Sequence, residues 1–149
     1  MGVSQTRIAP IMGPGTLTMK PTIRSANIVH EDDADQYPDT LEECRSNYRG
    51  CSEGEITEYL RQDAERIDAF NRAGWYYIGV YVECETLAAG IIQRFRTPGL
   101  WGIESDSDAP YLNGVAQDEF AILRDQLELY GVDTSNIDAL IASAEIVTR

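Results

Sequence analysis

The sequence predicts a single α+β domain in which a small antiparallel sheet of about three to four strands packs against two to three helices. Strand-like runs with alternating or β-branched side chains occupy residues 22–30, 75–85 and 88–97, and the last two are joined by a link too short for the crossover that a parallel pair requires. Helical spacing of apolar residues follows Ser52, Asp118 and Ser135. A chain of 149 residues buries about two thirds of its unfolded surface, so one core is the default, and 43% hydrophobic with 25% charged residues is an ordinary globular composition.

The elements follow in order. Residues 1–20, punctuated by Pro10, Gly13, Pro14 and Gly15, are expected to form a flexible N-terminal arm, leaving 21–149 as the domain. TIRSANIVH (22–30) is a first strand of imperfect alternation. The acidic stretch with Pro38 is a loop, with a helical turn at Leu41–Arg45. Ser52 and Glu55 have capping-box spacing, and Ile56, Leu60, Ala64, Ile67 and Phe70 recur every three or four residues until Gly74 stops the helix. In WYYIGVYVECE (75–85) the period of two sends Tyr76, Ile78, Val80, Val82 and Cys84 toward the core. Trp75, Tyr77, Tyr81, Glu83 and Glu85 fall on the opposite face, where the aromatics either pack beneath the arm or form a partner-binding patch.

AAGIIQRFRT (88–97) completes a hairpin, and LWGIE is an edge segment whose Leu100, Trp101 and Ile103 are expected to anchor in the core, with Ser105 or Ser107 as a local cap. Phe120, Leu123, Leu127 and Tyr130 mark a helix from Asp118 to Gly131, and Ile137, Leu140, Ile141 and Ala144 a short one after Ser135.

The charge is uneven. The chain carries 25 acidic and 12 basic side chains, a net charge of -13, yet residues 1–30 contain Arg7, Lys20 and Arg24 and no acid. Residues 31–43 hold seven carboxylates and no base, and residues 104–149 hold ten against Arg124 and Arg149. Such a body repels nucleic acid, so direct DNA or RNA binding is not expected. No apolar run approaches the roughly 20 residues that span a bilayer. Cys44, Cys51 and Cys84 lack metal-ligand spacing and suit free thiols in a reducing compartment, with a Cys44–Cys51 bridge left open.

His30 is the one histidine, which leaves a catalytic triad or a zinc set poorly supplied. GPGTLTMK lacks the order of a phosphate loop, and the EF-hand positions after Glu104 are not filled. Glu83 and Glu85 stand roughly 7 Å apart along one strand face, as any strand end would place them. No catalytic residue, cofactor or metal is therefore expected. The candidate surface is instead a partner-binding one: Glu31, Asp32, Asp33, Asp35, Glu104, Asp106 and Asp108, with Trp75, Tyr77 and Tyr81 as aromatic anchors. The competing readings are a charge that only solvates the surface, a binding or structural module with an unrelated partner, and a carboxylate- or metal-dependent enzyme.

The run RTPGLWGIESDSDAPYL, with a strand containing GIIQ before it and an acidic helix ending LELYGV after it, resembles a family of small acidic bacteriophage and mobile-element proteins, mostly of unassigned function. The resemblance covers mainly residues 75–132. It implies an accessory protein acting in the host bacterial cytoplasm and brings no catalytic residues. The expected partner is a host protein with a basic surface, such as a restriction or CRISPR component that an acidic protein would inhibit by imitating nucleic acid.

Overall fold

The computed structural model describes residues 20–149 and has the α+β architecture that the sequence predicts. The expected arm lies outside the described residues except for Lys20. In chain order the elements are β1 (Thr22–Asp32), α1 (Leu41–Ser46), α2 (Glu53–Asn71), β2 (Tyr77–Ala88), β3 (Ile91–Arg96), β4 (Leu100–Glu104), α3 (Ala109–Leu129), α4 (Ile137–Ala142) and β5 (Glu145–Thr148).

Among the described residues the sheet has five strands, in the order β3-β2-β1-β5, and β4 pairs with the same edge of β2 as β3, further along. Four strands are antiparallel, as expected. The fifth, β5, runs parallel to β1 from Asn27↔Glu145 to His30↔Thr148, which makes the sheet mixed. Four residues, EIVT, are too short for a periodic signal, and only pairing with β1 makes them a strand. The β2–β3 turn uses Ala89 and Gly90, both with positive φ (50° and 79°), the conformation of a tight two-residue hairpin.

The core lies between one sheet face and α3. Ala26 and Ile28 of β1, and Ile78, Val80, Val82 and Cys84 of β2, are buried against Ala116, Phe120, Leu123 and Leu127, whose spacing of four, three and four keeps one stripe of α3 on the sheet. Burial pushes the Cys84 thiol up to about 11, the behaviour of a core thiol, and all three cysteines are free. The helix begins nine residues before the predicted Asp118, because the Asp108 carboxylate caps it by accepting from Tyr111 N at 2.8 Å and Pro110 fits its first turn. Neither Ser105 nor Ser107 is the cap. One buried carboxylate belongs to this layer: Glu119 accepts from Gly99 N at 2.7 Å and so holds the turn between β3 and β4.

On the other face Gly79 leaves a gap that the Trp101 ring fills. A Cβ at residue 79 would lie 2.2 Å from Trp101 Cε3, so only glycine fits beneath the indole. The same ring stacks on Tyr81 at 6.1 Å, and its N–H donates to Pro98 O. Trp101 therefore covers the sheet from outside, 39% exposed, and Leu100 is exposed as well; of the three expected core anchors only Ile103 is buried.

Both α1 and α2 start with complete capping boxes, Thr40 with Glu43 and the predicted Ser52 with Glu55. The apolar stripe of α2 is nevertheless only half-buried and no residue of the helix is fully covered. Its C-terminal end is tied to the sheet by aromatic contacts: Phe70 touches Trp75 and Tyr77, at 5.1 and 6.0 Å between centroids.

Candidate functional site

The carboxylates singled out in the sequence converge where β1 ends and β4 exits. Asp33 N donates to Tyr77 O, and Asp33 Oδ2 accepts from Gly102 N at 3.0 Å, which joins the loop after β1 to the backbone of β4. The chain leaving β4 is clamped by Ser105 N donating to Tyr76 O and by Tyr76 N donating to Ser105 Oγ. Residues 32–35 and 104–108, far apart in sequence, are thus brought to one end of the sheet.

Arg66, on the last turns of α2, is the cation at its centre. Its guanidinium binds Asp106 at 2.6 and 2.7 Å and Glu104 at 2.6 Å, and it lies 3.9 Å over the Trp75 ring. The Trp75 N–H in turn donates to Arg66 O. The hydrogen bond from Arg66 holds Asp106 below the usual carboxylate range. Burial first, then the charges of Glu104 and Asp39, push the Tyr77 phenol up against the opposing pull of Arg66. The ionised carboxylates are thus stabilised by fixed donors and left facing water.

The ten predicted residues divide into three groups. Asp32, Asp33, Asp35, Glu104, Asp106 and Asp108 sit at the acidic end, with Asp32, Asp35, Asp106 and Asp108 exposed. Glu31 belongs elsewhere: its side chain turns to the open sheet face, 3.8 Å from Arg96. Among the aromatics, Trp75 and Tyr81 are 2% and 1% exposed and Tyr77 is half-buried. Trp75 and Tyr81 present no free face to a partner, because Arg66 covers Trp75 while Trp101 and Arg96 cover Tyr81. Tyr76, expected to face the core, is instead 46% exposed, just before β2 begins.

Sequence reasoning missed Arg66, Gly79 and Glu119. Arg66 sits within an amphipathic helix among other charged residues, and nothing in its spacing points to Glu104 and Asp106 some forty positions away. Gly79 did carry a signal, since a glycine inside a strong strand marks close approach of another group.

The open face carries a second constellation. Glu83 binds Arg149 at 2.5 and 2.9 Å, and Glu85 binds Arg94 at 3.1 Å, so the two glutamates that alternate along β2 are each held by a different guanidinium. With Ser25 and Asn27 they border a shallow basin of about 660 Å³. The hydrogen bond from Arg149 lowers the pKa of Glu83. Among the described residues, no three His, Cys, Asp or Glu side chains are grouped as a metal site, and no helix is long and apolar enough to cross a membrane.

Comparison of the chain with protein-family models, curated proteins and solved structures gives no match.

Proposed function

We propose that the protein is a non-enzymatic binding module whose acidic end engages a basic surface on another protein. The observation that carries this reading is the Gly102 N to Asp33 hydrogen bond, which brings two separately acidic stretches onto one surface. Among the described residues, Arg66 is the cation that this surface binds directly, and it engages only Glu104 and Asp106. Carboxylates fixed by backbone donors lose little freedom when they meet arginine or lysine.

The partner is a nucleic-acid-binding protein of the host bacterium, and binding at its DNA or RNA site would inhibit it. A net charge of -13 on a compact body supports competition with a polyanion. The resemblance to phage and mobile-element proteins suggests a defence protein, a restriction or CRISPR component, as the target in the host cytoplasm.

The test is capture of partners from a bacterial lysate on immobilised protein, followed by elution with salt or with duplex DNA. The expected partner binds nucleic acid, is released by about 1 M salt, where the Debye length shrinks to about 3 Å, and is displaced by the DNA. A partner that holds this protein and DNA at once, indifferent to salt, would sink the proposal.

A further inference from the structure

β3 closes one end of the strand order, so among the described residues one side of its backbone has no partner in the sheet. The side can be assigned. Thr97 N donates to Val82 O at 3.0 Å, and the register pairs Glu83 with Arg96. By the alternation of an antiparallel ladder, Phe95, Gln93 and Ile91 then turn their backbone groups toward β2, while Ile92, Arg94 and Arg96 turn theirs outward. Three N–H and three C=O groups are thus presented in a row.

The two sides of this edge differ chemically. On the open face stand Arg94, 82% exposed, and Arg96, 54% exposed, within a stretch, residues 86–103, that contains no carboxylate. Arg96 lies over the Tyr81 ring at 4.1 Å and reaches Glu31 only at 3.8 Å, and the Arg94–Glu85 pair is exposed enough to exchange partners at little cost. On the helix face, Phe95 meets Tyr130 at 5.5 Å beside a groove into which Leu129 also projects. Leu129 is 84% exposed, Tyr130 69% and Ile91 65%, an apolar patch on an otherwise acidic body.

We propose that the β3 edge is a docking site for an extended strand of a partner protein in which carboxylates alternate with apolar residues. Such a strand extends the sheet through the outward groups of Ile92, Arg94 and Arg96. Its period of two sends carboxylates to Arg94 and Arg96 on one face and apolar side chains to Phe95, Leu129 and Tyr130 on the other. Charge complementarity selects this occupant over a second copy of the chain, because a β3–β3 pair would add two further arginines to the same face. The site is separate from the acidic end, and either can fail without the other.

A peptide of about ten residues alternating Glu and Val, followed by fluorescence anisotropy, tests the proposal, with a Lys–Val peptide as control. The Glu–Val peptide should bind below about 1 mM and the Lys–Val peptide should not. Ile92→Pro removes one outward N–H without touching the β2 ladder, and should weaken binding at least tenfold. Should that variant fail to fold, Arg94→Gln with Arg96→Gln should give a comparable loss, while Asp32→Lys with Asp35→Lys at the acidic end leaves binding within about twofold. Absence of binding, equal binding of both peptides, or a mass in sedimentation showing β3 already occupied by a second copy would each overturn it.

Discussion

At the acidic end, Asp33 ties the loop after β1 to Gly102 of β4 and Arg66 pairs with Glu104 and Asp106, whereas on the open face Arg94, Arg96 and Arg149 each face a glutamate across the sheet. The first region keeps a surplus of charge, because two of its anions are held by backbone N–H groups, which bring no opposing charge, as Gly102 N does for Asp33 and Tyr111 N for Asp108. The second is close to neutral. A surplus acts over a Debye length and is screened by salt, while paired charges at a strand edge act only at contact. Two regions of one sheet are therefore suited to different kinds of recognition, one by field and one by backbone and side-chain register.

Both regions rest on the packing around β2, and the largest effects should come from breaking it. Gly79→Ala places a methyl inside the Trp101 ring, so the indole must leave Tyr81. The expected loss is about 3 kcal/mol, the upper part of the range for overpacking, read as a lower denaturant midpoint with increased Trp101 exposure in fluorescence. An unchanged midpoint would mean that Trp101 is not seated there. Next, Glu119→Ala leaves Gly99 N without its acceptor at the turn between β3 and β4, at a cost of about 2 kcal/mol. Glu119→Gln keeps an acceptor and should recover most of that, and equal losses in the two variants would rule out the hydrogen bond as the cause.

The same comparison explains what was legible in the sequence. The acidic end could be read because charge density along the chain survives folding: 31–43 and 104–108 remain surface however they are arranged. The α2 capping box and the β2–β3 hairpin were legible because their signals are local. What joins distant segments was not. Asp33 meeting Gly102, Arg66 meeting Asp106 and β5 lying beside β1 depend on tertiary pairing between residues of no shared periodicity. Alternation did separate the two faces of β2, but it could not tell that one aromatic face would be roofed by Trp101. The sequence placed that tryptophan in the core, whereas it lies over the open face; Trp75 and Tyr81, which the sequence left as either packed or a partner-binding patch, are buried beneath Arg66 and Trp101.

A smaller effect is expected from Arg66→Ala. Its ion pairs are partly exposed and its stacking on Trp75 adds a fraction more, giving about 1 kcal/mol in all. The pH dependence has a definite sign. Asp106 has a folded pKa below its unfolded value, so its contribution is present above the ordinary carboxylate range and lost as pH falls through the folded value. Arg66→Ala should therefore flatten the acid limb of the stability curve while leaving the neutral region lower by a constant amount. It also frees Glu104 and Asp106, so a basic partner should associate faster with the less stable variant. A variant that is both less stable and slower to bind would show that Arg66 shapes the surface rather than neutralises it.

The smallest effect on folding is expected from reversing exposed acids that hold nothing in place. Asp106 and Asp108 do not qualify, since one binds Arg66 and the other caps α3, and reversing Asp108 would cost about 1 kcal/mol through the lost cap. Asp32 and Asp35 do qualify: both are exposed, and the bond made by Asp32 is through its backbone N–H to Arg149 O. Asp32→Lys with Asp35→Lys should change stability by less than about 0.5 kcal/mol per site. It removes four units of negative charge from the acidic end, so association with a basic partner should slow several-fold at low ionic strength, with the difference shrinking as salt rises. Stopped-flow association rates at two salt concentrations read this directly. Equal rates for the variant and the parent at low salt would mean that the carboxylates at this end only keep the protein dissolved, and that recognition lies with the β3 edge.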